Sequence, residues 1–113
     1  MSKGLLVFTE GKEVIGARIS KVNFASDELE ISYDYKVDNI GYTGTIKATS
    51  VDGATWSGEW TDKDQRWKAS SGKLEMSGVK AQNRGMFYGT WGNNDRATDE
   101  EFSFSVEFPQ SYR

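Results

Sequence analysis

The chain has 113 residues, enough to close one hydrophobic core, and we expect a single domain over residues 1–113. It has no cysteine and no histidine, which excludes disulfides, thiol nucleophiles, imidazole or thiolate metal ligands and every mechanism that needs a histidine base. Its net charge is −3 and its lysines and arginines are scattered singly, so we expect no nucleic-acid partner. We also expect no metal, since thiolate and imidazole ligands are missing, and no cofactor.

The first two predicted elements are strands, because apolar and polar residues alternate with a period of two. Residues 4–9 are apolar on both faces, as in a strand covered on both sides or the closing strand of a barrel. This apolar run is too short for a signal peptide or a membrane span, so we expect a cytoplasmic protein with no membrane partner. Residues 13–22 form the second strand, and residues 23–28 turn the chain.

The third and fourth strands carry the clearest alternation. In residues 29–37, five inward apolar residues alternate with four polar ones: Leu29, Ile31, Tyr33, Tyr35 and Val37 against Glu30, Ser32, Asp34 and Lys36. Residues 38–41 lead into a fourth strand over residues 42–50.

Four glycines each stand between two larger residues at alternate positions. The motifs are Tyr42-x-Gly44-x-Ile46, Trp56-x-Gly58-x-Trp60, Met76-x-Gly78-x-Lys80 and Phe87-x-Gly89-x-Trp91. Each presents a large side chain, a gap and a large side chain on one face of a strand, a pattern typical of a sharply curved sheet. We therefore predict that Gly44, Gly58 and Gly89 face inward beneath aromatic rings.

The fourth and fifth strands are joined by either a two-residue or a three-residue loop. A two-residue loop centred on Asp52 and Gly53 contradicts the alternation of both strands. A three-residue loop with Gly53 in the left-handed position pairs Ala48 with Trp56, Ile46 with Gly58 and Gly44 with Trp60. The sequence therefore predicts the second register.

The remaining chain supplies three or four further strands. Residues 62–65 read as a turn, and residues 66–69 as either a short ninth strand or an excursion. Alternation resumes over residues 73–81 and 85–92, and a polar acidic loop leads to the last strand, residues 102–108, which Pro109 ends.

These elements predict an all-β fold. Short connections make consecutive strands neighbours, so about eight strands form an antiparallel up-and-down meander. Closure into a small barrel buries the apolar face of every strand and removes the edges. A β-sandwich is the alternative.

The meander resembles the small up-and-down barrels of the calycin type, which include lipocalins, fatty-acid-binding proteins and avidins. Ala54-Thr55-Trp56-Ser57-Gly58 is similar to the stretch around a ligand-lining tryptophan of avidins. In that family the two same-face positions before the tryptophan carry hydroxyls that bind biotin. Asp52 and Ala54 occupy them here, so the resemblance implies the architecture and argues against biotin.

The first functional hypothesis is a non-catalytic binding protein that holds a small apolar or aromatic ligand in the barrel. The candidate ligand-binding residues are Tyr33, Tyr35, Trp56, Trp60, Lys80 and Trp91. Lys80 is included because it shares a face with Gly78 and could meet a ligand carboxylate or extend to the rim. Large side chains opposite glycines also favour a completely filled interior, so both arrangements remain open.

Two further hypotheses concern the outer surface. Val79, Met86 and Tyr88 are predicted to form an outward apolar patch on neighbouring strands, as in a protein-interaction or self-assembling module with a filled core, for example a homo-oligomer. An exposed Trp67 could instead stack on a sugar ring in a carbohydrate-binding module. Trp67 is flanked by Arg66 and Lys68, and for this triplet we favour a loop aromatic that packs over the end of the barrel over a small aromatic–basic contact with nucleic acid.

Catalysis has the least support. Asp62 with Asp64, or Asp95 with Asp99 and Glu100, could do acid–base work. Both groups lie in segments that read as polar loops, where solvated carboxylates keep ordinary pKa values. Neither has the spacing of a calcium-binding EF-hand loop.

Overall fold

Eight antiparallel strands follow one another around a closed barrel in a computed structural model that describes residues 4–25, 27–81, 84–93 and 100–107. The strands are β1 (Gly4–Glu10), β2 (Glu13–Ala25), β3 (Glu28–Val37), β4 (Ile40–Ser50), β5 (Thr55–Asp64), β6 (Ala69–Ala81), β7 (Arg84–Asn93) and β8 (Glu100–Glu107). Each strand pairs with the next along the chain, and β8 pairs with β1. This confirms the predicted all-β meander and its closure. No helix long and apolar enough to cross a membrane occurs in these ranges.

The apolar first strand is the closing strand of the barrel. Leu6 and Phe8 are buried in the core, whereas Leu5 on the other face is 54% exposed, so β1 is covered on one side only. At the seam, Thr9 Oγ1 donates a 2.9 Å hydrogen bond to Oε1 of Glu100. The N–H of Gly11, in the β1–β2 turn, donates to the other oxygen of Glu100 at 2.7 Å.

β2 is longer than the alternation predicts. A β-bulge between Ile19 and Lys21 inserts one residue and reverses the parity of the strand. Ile19 before the bulge and Val22 and Phe24 after it are therefore all buried, although they do not share one period-two pattern. The prediction that residues 23–28 turn the chain is wrong for this reason, since β2 continues to Ala25.

The β4–β5 connection is two residues longer than predicted, because Ser50 pairs with Trp56 rather than with Ala54, and the register differs by two. Ala48 pairs with Gly58, Ile46 with Trp60, and Gly44 with Asp62. Each residue of β4 and β5 still lies on the face predicted for it, because a register shift by two keeps every side chain on the same side of the sheet.

Hydrogen bonds from the loop, residues 51–54, account for the corrected register. Asp52 Oδ1 accepts from the N–H groups of Ala54 at 2.9 Å and Thr55 at 2.8 Å, and Ser50 Oγ donates to the Thr55 carbonyl at 2.6 Å. These contacts keep both Ala54 and Thr55 out of the pairing with β4. Gly53 has the predicted left-handed conformation, with φ of 79°.

Rings cover two of the four motif glycines, and backbone covers the other two. Tyr33 lies over Gly44, and the ring of Phe87 lies against Gly78. At Gly58 and Gly89, the atoms nearest to the missing side chain belong to the backbone of the neighbouring strand. The prediction of rings is therefore confirmed for Gly44, whereas at Gly58 and Gly89 the glycine permits close approach of backbone.

For residues 62–69 the structure corrects the predicted turn and decides between the two alternatives left open. Asp62 to Asp64 belong to β5 rather than to a turn, and Ala69 begins β6. Residues 65–68 form the connection, so they do not make a ninth strand. β5 is longer than predicted because Gln65 and Gly41 are joined by two hydrogen bonds. The N–H of Gln65 donates to the carbonyl of Gly41 at 2.9 Å, and the N–H of Gly41 donates to Oε1 of Gln65 at 2.9 Å.

Aromatic rings fill the half of the barrel that lies away from this connection. The rings of Trp56 and Phe87 meet edge to face with centroids 6.0 Å apart, and Phe87 stacks on Phe104 at 5.0 Å. Phe24 lies 6.0 Å from Trp56 on the other side. This half of the interior is a packed core.

Candidate functional site

The other half of the barrel contains a cavity of about 540 Å³, which we call the mouth cavity. Residues at the strand ends next to the β1–β2, β3–β4 and β5–β6 turns line it, including Glu10, Val37 and Lys68, so it lies at that end of the barrel. Its aromatic walls are formed by Phe8, Tyr33, Tyr35, Tyr42, Trp60, Trp91 and Phe102. The interior is thus filled at one end and hollow at the other.

The aromatic walls are held by contacts between rings. Tyr35 and Tyr42, cross-strand partners on β3 and β4, stack with centroids 4.8 Å apart and an interplanar angle of 5°. Trp60 and Trp91 meet edge to face at 5.2 Å, and Trp60 Nε1 donates to the carbonyl of Gly92 at 3.0 Å. Such contacts fix the ring orientations, so the cavity is preformed.

Asp62 and Asp64 point into this cavity. Both continue the inward face of β5 beyond Trp60, and both line the cavity. The expectation that they are solvated loop carboxylates with ordinary pKa values is wrong, because the chain is still a strand at these positions. The missed signal was the alternation itself, which runs from Trp56 through Gly58 and Trp60 to the two aspartates.

Asp62 is half-buried, and its neighbour in the cavity is a phenol. Tyr35 donates its hydroxyl hydrogen to Oδ2 of Asp62 at 2.8 Å. Burial raises the pKa of Asp62, the hydrogen bond from Tyr35 opposes this, and the charge of Asp64 adds to it. Burial, followed by the charge of Asp62, also raises the pKa of Tyr35 and of Tyr33, so both phenols stay protonated.

Asp64 is buried but fully engaged within the β5–β6 connection. The backbone N–H groups of Arg66 and Lys68 donate to its Oδ1 at 2.8 and 3.0 Å, and the Arg66 guanidinium donates to Oδ2 at 3.0 Å. Burial alone would raise the pKa of Asp64. The hydrogen bonds from Lys68 and Arg66 and the charge of Arg66 outweigh burial, so its pKa is lowered.

Four of the six predicted ligand-binding residues lie together. Tyr33, Tyr35, Trp60 and Trp91 all line the mouth cavity. Trp56 is part of the packed half of the barrel. The side chain of Lys80 lies outside the described residues.

Sequence reasoning missed several residues of the cavity. Phe8 and Tyr42 belong to it, Phe8 meeting Tyr35 edge to face at 5.2 Å. Glu10 at the end of β1 also lines it, and partial burial and the charge of Asp62 raise the pKa of Glu10. These residues lie at one end of the barrel, at the end of β1 and the start of β4, and the meander predicts that these strand ends lie at the same end of the barrel.

Trp67 does not pack over the end of the barrel. Its side chain is 77% exposed, and its φ of 68° is unusual for a large residue. The Lys63 ammonium lies 4.4 Å from the centroid of the indole ring. A lysine on the indole reduces the ring area open to a sugar, and the carbohydrate-binding role stays a prediction.

Met86 and Tyr88 face outward, with 67% and 61% of their side chains exposed. β8 lies between β1 and β7, and on it Ser105 pairs with both Leu5 and Met86, and Ser103 with both Val7 and Tyr88. Only these two serines separate the apolar side chains of β1 from those of β7. We call Leu5, Val7, Met86 and Tyr88 the outer-face patch. Val79 is the strand partner of Met86, but its side chain lies outside the described residues.

Of the second carboxylate group considered for catalysis, the structure describes Glu100. Glu100 binds Thr9 and the Gly11 N–H at the barrel seam, whereas Asp95 and Asp99 lie outside the described residues. Within the described ranges, no group of three or more acidic side chains converges in a way that would hold a metal ion.

Comparisons with known proteins add no relative to this picture. No protein-family model matches the chain, and neither a curated protein nor a solved structure shows significant similarity to it. The eight-stranded closed barrel is compatible with a calycin-like architecture, and the site has to be interpreted from its own geometry.

Proposed function

We propose that this protein is a non-catalytic binding protein that holds a small apolar or aromatic molecule in the mouth cavity. The observation that carries the proposal is the cavity itself, about 540 Å³ in volume and walled by seven aromatic side chains. Cavities of about 300–1,000 Å³ with aromatic walls and a few polar groups are typical small-molecule sites. The calycin-like meander supports the same interpretation by analogy of architecture.

The polar groups of the cavity are suited to orientation rather than to catalysis. Asp64 is held by Arg66 and two backbone N–H groups, which leaves it a structural part of the turn. Tyr33 and Tyr35 are neutral, and Asp62 and Glu10 are the other two carboxylates among the described residues that line the cavity. A buried ligand would gain most of its affinity from the rings.

Titration with a neutral fluorescent probe, N-phenylnaphthylamine, tests the proposal directly. We expect saturable enhancement of the probe's emission with the wild-type protein, because the cavity excludes water from the probe. Absence of saturable binding would contradict the proposal.

Ser70 and Ser71 provide a matched pair of variants that locate the probe. Ser70 lines the mouth cavity, whereas Ser71 follows it on the opposite, exposed face of β6. Ser70→Trp should fill the cavity and abolish probe binding, and Ser71→Trp should leave binding unchanged. Equal binding by both variants would place the probe elsewhere and overturn the assignment of the site.

Self-association through the outer-face patch is a second candidate function. It is favoured by the exposure of Met86 and Tyr88 and by Leu5 and Val7, which enlarge the apolar surface across β8. Tyr88 and Val7 also line an open groove of about 950 Å³ on this face. The same patch on two copies would form a symmetric contact, with Met86 and Tyr88 as its centre.

Light scattering on the wild type and on the double variant Met86→Lys, Tyr88→Lys tests this candidate. A wild-type dimer that becomes a monomer in the double variant supports it. A wild-type monomer contradicts it, and so does a dimer that the two lysines leave unchanged.

A further inference from the structure

The mouth cavity contains one half-buried carboxylate that lacks a cation. Asp62 forms no ion pair with any lysine or arginine of the described residues, whereas Asp64, two positions further along the same face, is paired with Arg66 at 3.0 Å. The contrast matters because a carboxylate that is partly removed from water gains most from a partner of opposite charge.

One oxygen of Asp62 is also open to a further donor. Its Oδ2 accepts the hydrogen bond from Tyr35, and the described residues provide no donor for its Oδ1. An ionised carboxylate has about four lone-pair sites and accepts several hydrogen bonds. Tyr35 therefore holds the carboxylate in place and leaves its second oxygen available to a further donor.

The surroundings of Asp62 favour a cation for a second reason. Tyr33, Tyr35 and Trp60 line the same cavity, and the faces of aromatic rings attract cations electrostatically. The cross-strand partner of Asp62 is Gly44, and the ring of Tyr33 lies over that glycine, which brings an aromatic ring close to Asp62.

The charges around the cavity discriminate against an anion. Glu10, Asp62 and Asp64 line it together with two cations, Arg66 and Lys68. Arg66 is paired with Asp64. The remaining charges of the cavity are therefore one cation, the exposed Lys68, and two carboxylates, Asp62 and Glu10. A ligand carboxylate that reached the tyrosines would approach Asp62 without a buried cation to compensate.

From this geometry we propose that the mouth cavity selects molecules that carry a cationic amine on an aromatic or apolar body, with Asp62 as the counter-ion. The proposal rests on the binding function proposed above and adds the chemical class of the ligand. In the complex, the ammonium group donates to Oδ1 of Asp62 and the apolar body lies against Trp60 and Trp91.

Displacement of bound N-phenylnaphthylamine by three ligands of one shape tests the proposal. Naphthylmethylamine, naphthylmethanol and naphthylacetate are cationic, neutral and anionic at neutral pH. With the wild-type protein we expect the amine to displace the probe at about tenfold lower concentration than the alcohol, with the carboxylate weakest. An equal or stronger effect of the alcohol or the carboxylate overturns the proposal, and a preferred carboxylate would point to Lys68 instead.

Two variants of β5 identify the counter-ion. Asp62→Asn should abolish the advantage of the amine over the alcohol, and saturable binding of N-phenylnaphthylamine to the variant reports whether its cavity is still formed. Glu59→Gln removes an exposed carboxylate from the outer face of the same strand and should change neither affinity. An amine preference that survives in Asp62→Asn contradicts the proposal. Failure of the binding function is a different result, in which neither the probe nor any of the three ligands binds the wild type.

Discussion

The ring of Tyr33 occupies the space that a side chain at position 44 would need. A Cβ at Gly44 would lie 2.5 Å from both Cζ and the hydroxyl oxygen of Tyr33, and 2.7 Å from Cβ of Asp62. The glycine therefore serves the mouth cavity directly, because it admits the ring of one cavity residue and the carboxylate of another.

Gly44→Ala should lower the free energy of unfolding by about 1–3 kcal/mol, since Tyr33 and Asp62 must both move. Gly16→Ala is the matched control, because a Cβ at Gly16 in β2 would meet nothing within 4 Å. We expect the control to be neutral or to gain up to about 1 kcal/mol from the lower chain entropy of the unfolded state. Urea unfolding followed by tryptophan fluorescence measures both. Equal stability of the two variants would contradict the packing described for Tyr33.

Gly58→Val should destabilise the barrel by about 3 kcal/mol. The register predicted from the sequence places Gly58 opposite Ile46, but the conflict is with the backbone of the neighbouring strand, because the new Cβ would lie 2.6 Å from the Cα of Ala48. The strand cannot yield as a side chain would, so β4 and β5 must separate. A melting temperature close to that of the wild type would count heavily against this prediction, and Gly16→Val is again the control.

Asp62→Asn should be at least as stable as the wild type at neutral pH. Because burial raises the pKa of Asp62, its ionised form costs the folded state free energy as the pH rises above the ordinary aspartate range near about 4. Below that range Asp62 is protonated in both the folded and the unfolded state, so this cost is absent and the stability advantage of the variant disappears. Urea midpoints measured from acidic to neutral pH should diverge in favour of the variant. A variant that is less stable at neutral pH would show that the carboxylate stabilises the barrel.

Asp64→Ala should have the opposite effect. The lowered pKa of Asp64 means that its carboxylate contributes stability above the unfolded pKa, and this contribution is lost as the pH falls through the folded value. The substitution also leaves the N–H groups of Arg66 and Lys68 without their acceptor. We expect a lower urea midpoint at neutral pH and a smaller deficit in acid, and a deficit that does not depend on pH would contradict the electrostatic part of the argument.

The sequence predicts the strands well because each strand has one face in the core and one in water. β3 is the best case, with alternation that holds from Leu29 to Val37 and a strand of Glu28–Val37. The same method fails in β2, since the bulge after Ile19 moves the apolar residues from odd to even positions. Alternation reports which face a residue takes, and it does not report an inserted residue.

The register of β4 and β5 shows a second limit. Parity excludes every odd shift, but it does not distinguish registers that differ by two. The hydrogen bonds that Asp52 and Ser50 make within the loop decide between them, and such contacts depend on conformation rather than on hydrophobicity.

Part of the candidate site could be predicted from the same alternation of inward and outward residues. Tyr33, Tyr35, Trp60 and Trp91 were found because large inward residues are visible in the pattern. Asp62 was missed because acidic residues normally mark turns and surfaces. An inward carboxylate at a strand end breaks the local rule, as groups at functional sites often do.

The pairing of β8 with β1 has a consequence for the way the chain folds. The other pairings join strands that are consecutive in sequence, whereas the seam brings Gly4 beside Val106 and can form only when the whole meander exists. Closing so long a loop carries a large entropic cost, so the seam should limit the rate of folding. During synthesis, β1 and β7 keep unpaired edges until β8 has left the ribosome, and in that interval the chain is most exposed to strand exchange with its neighbours.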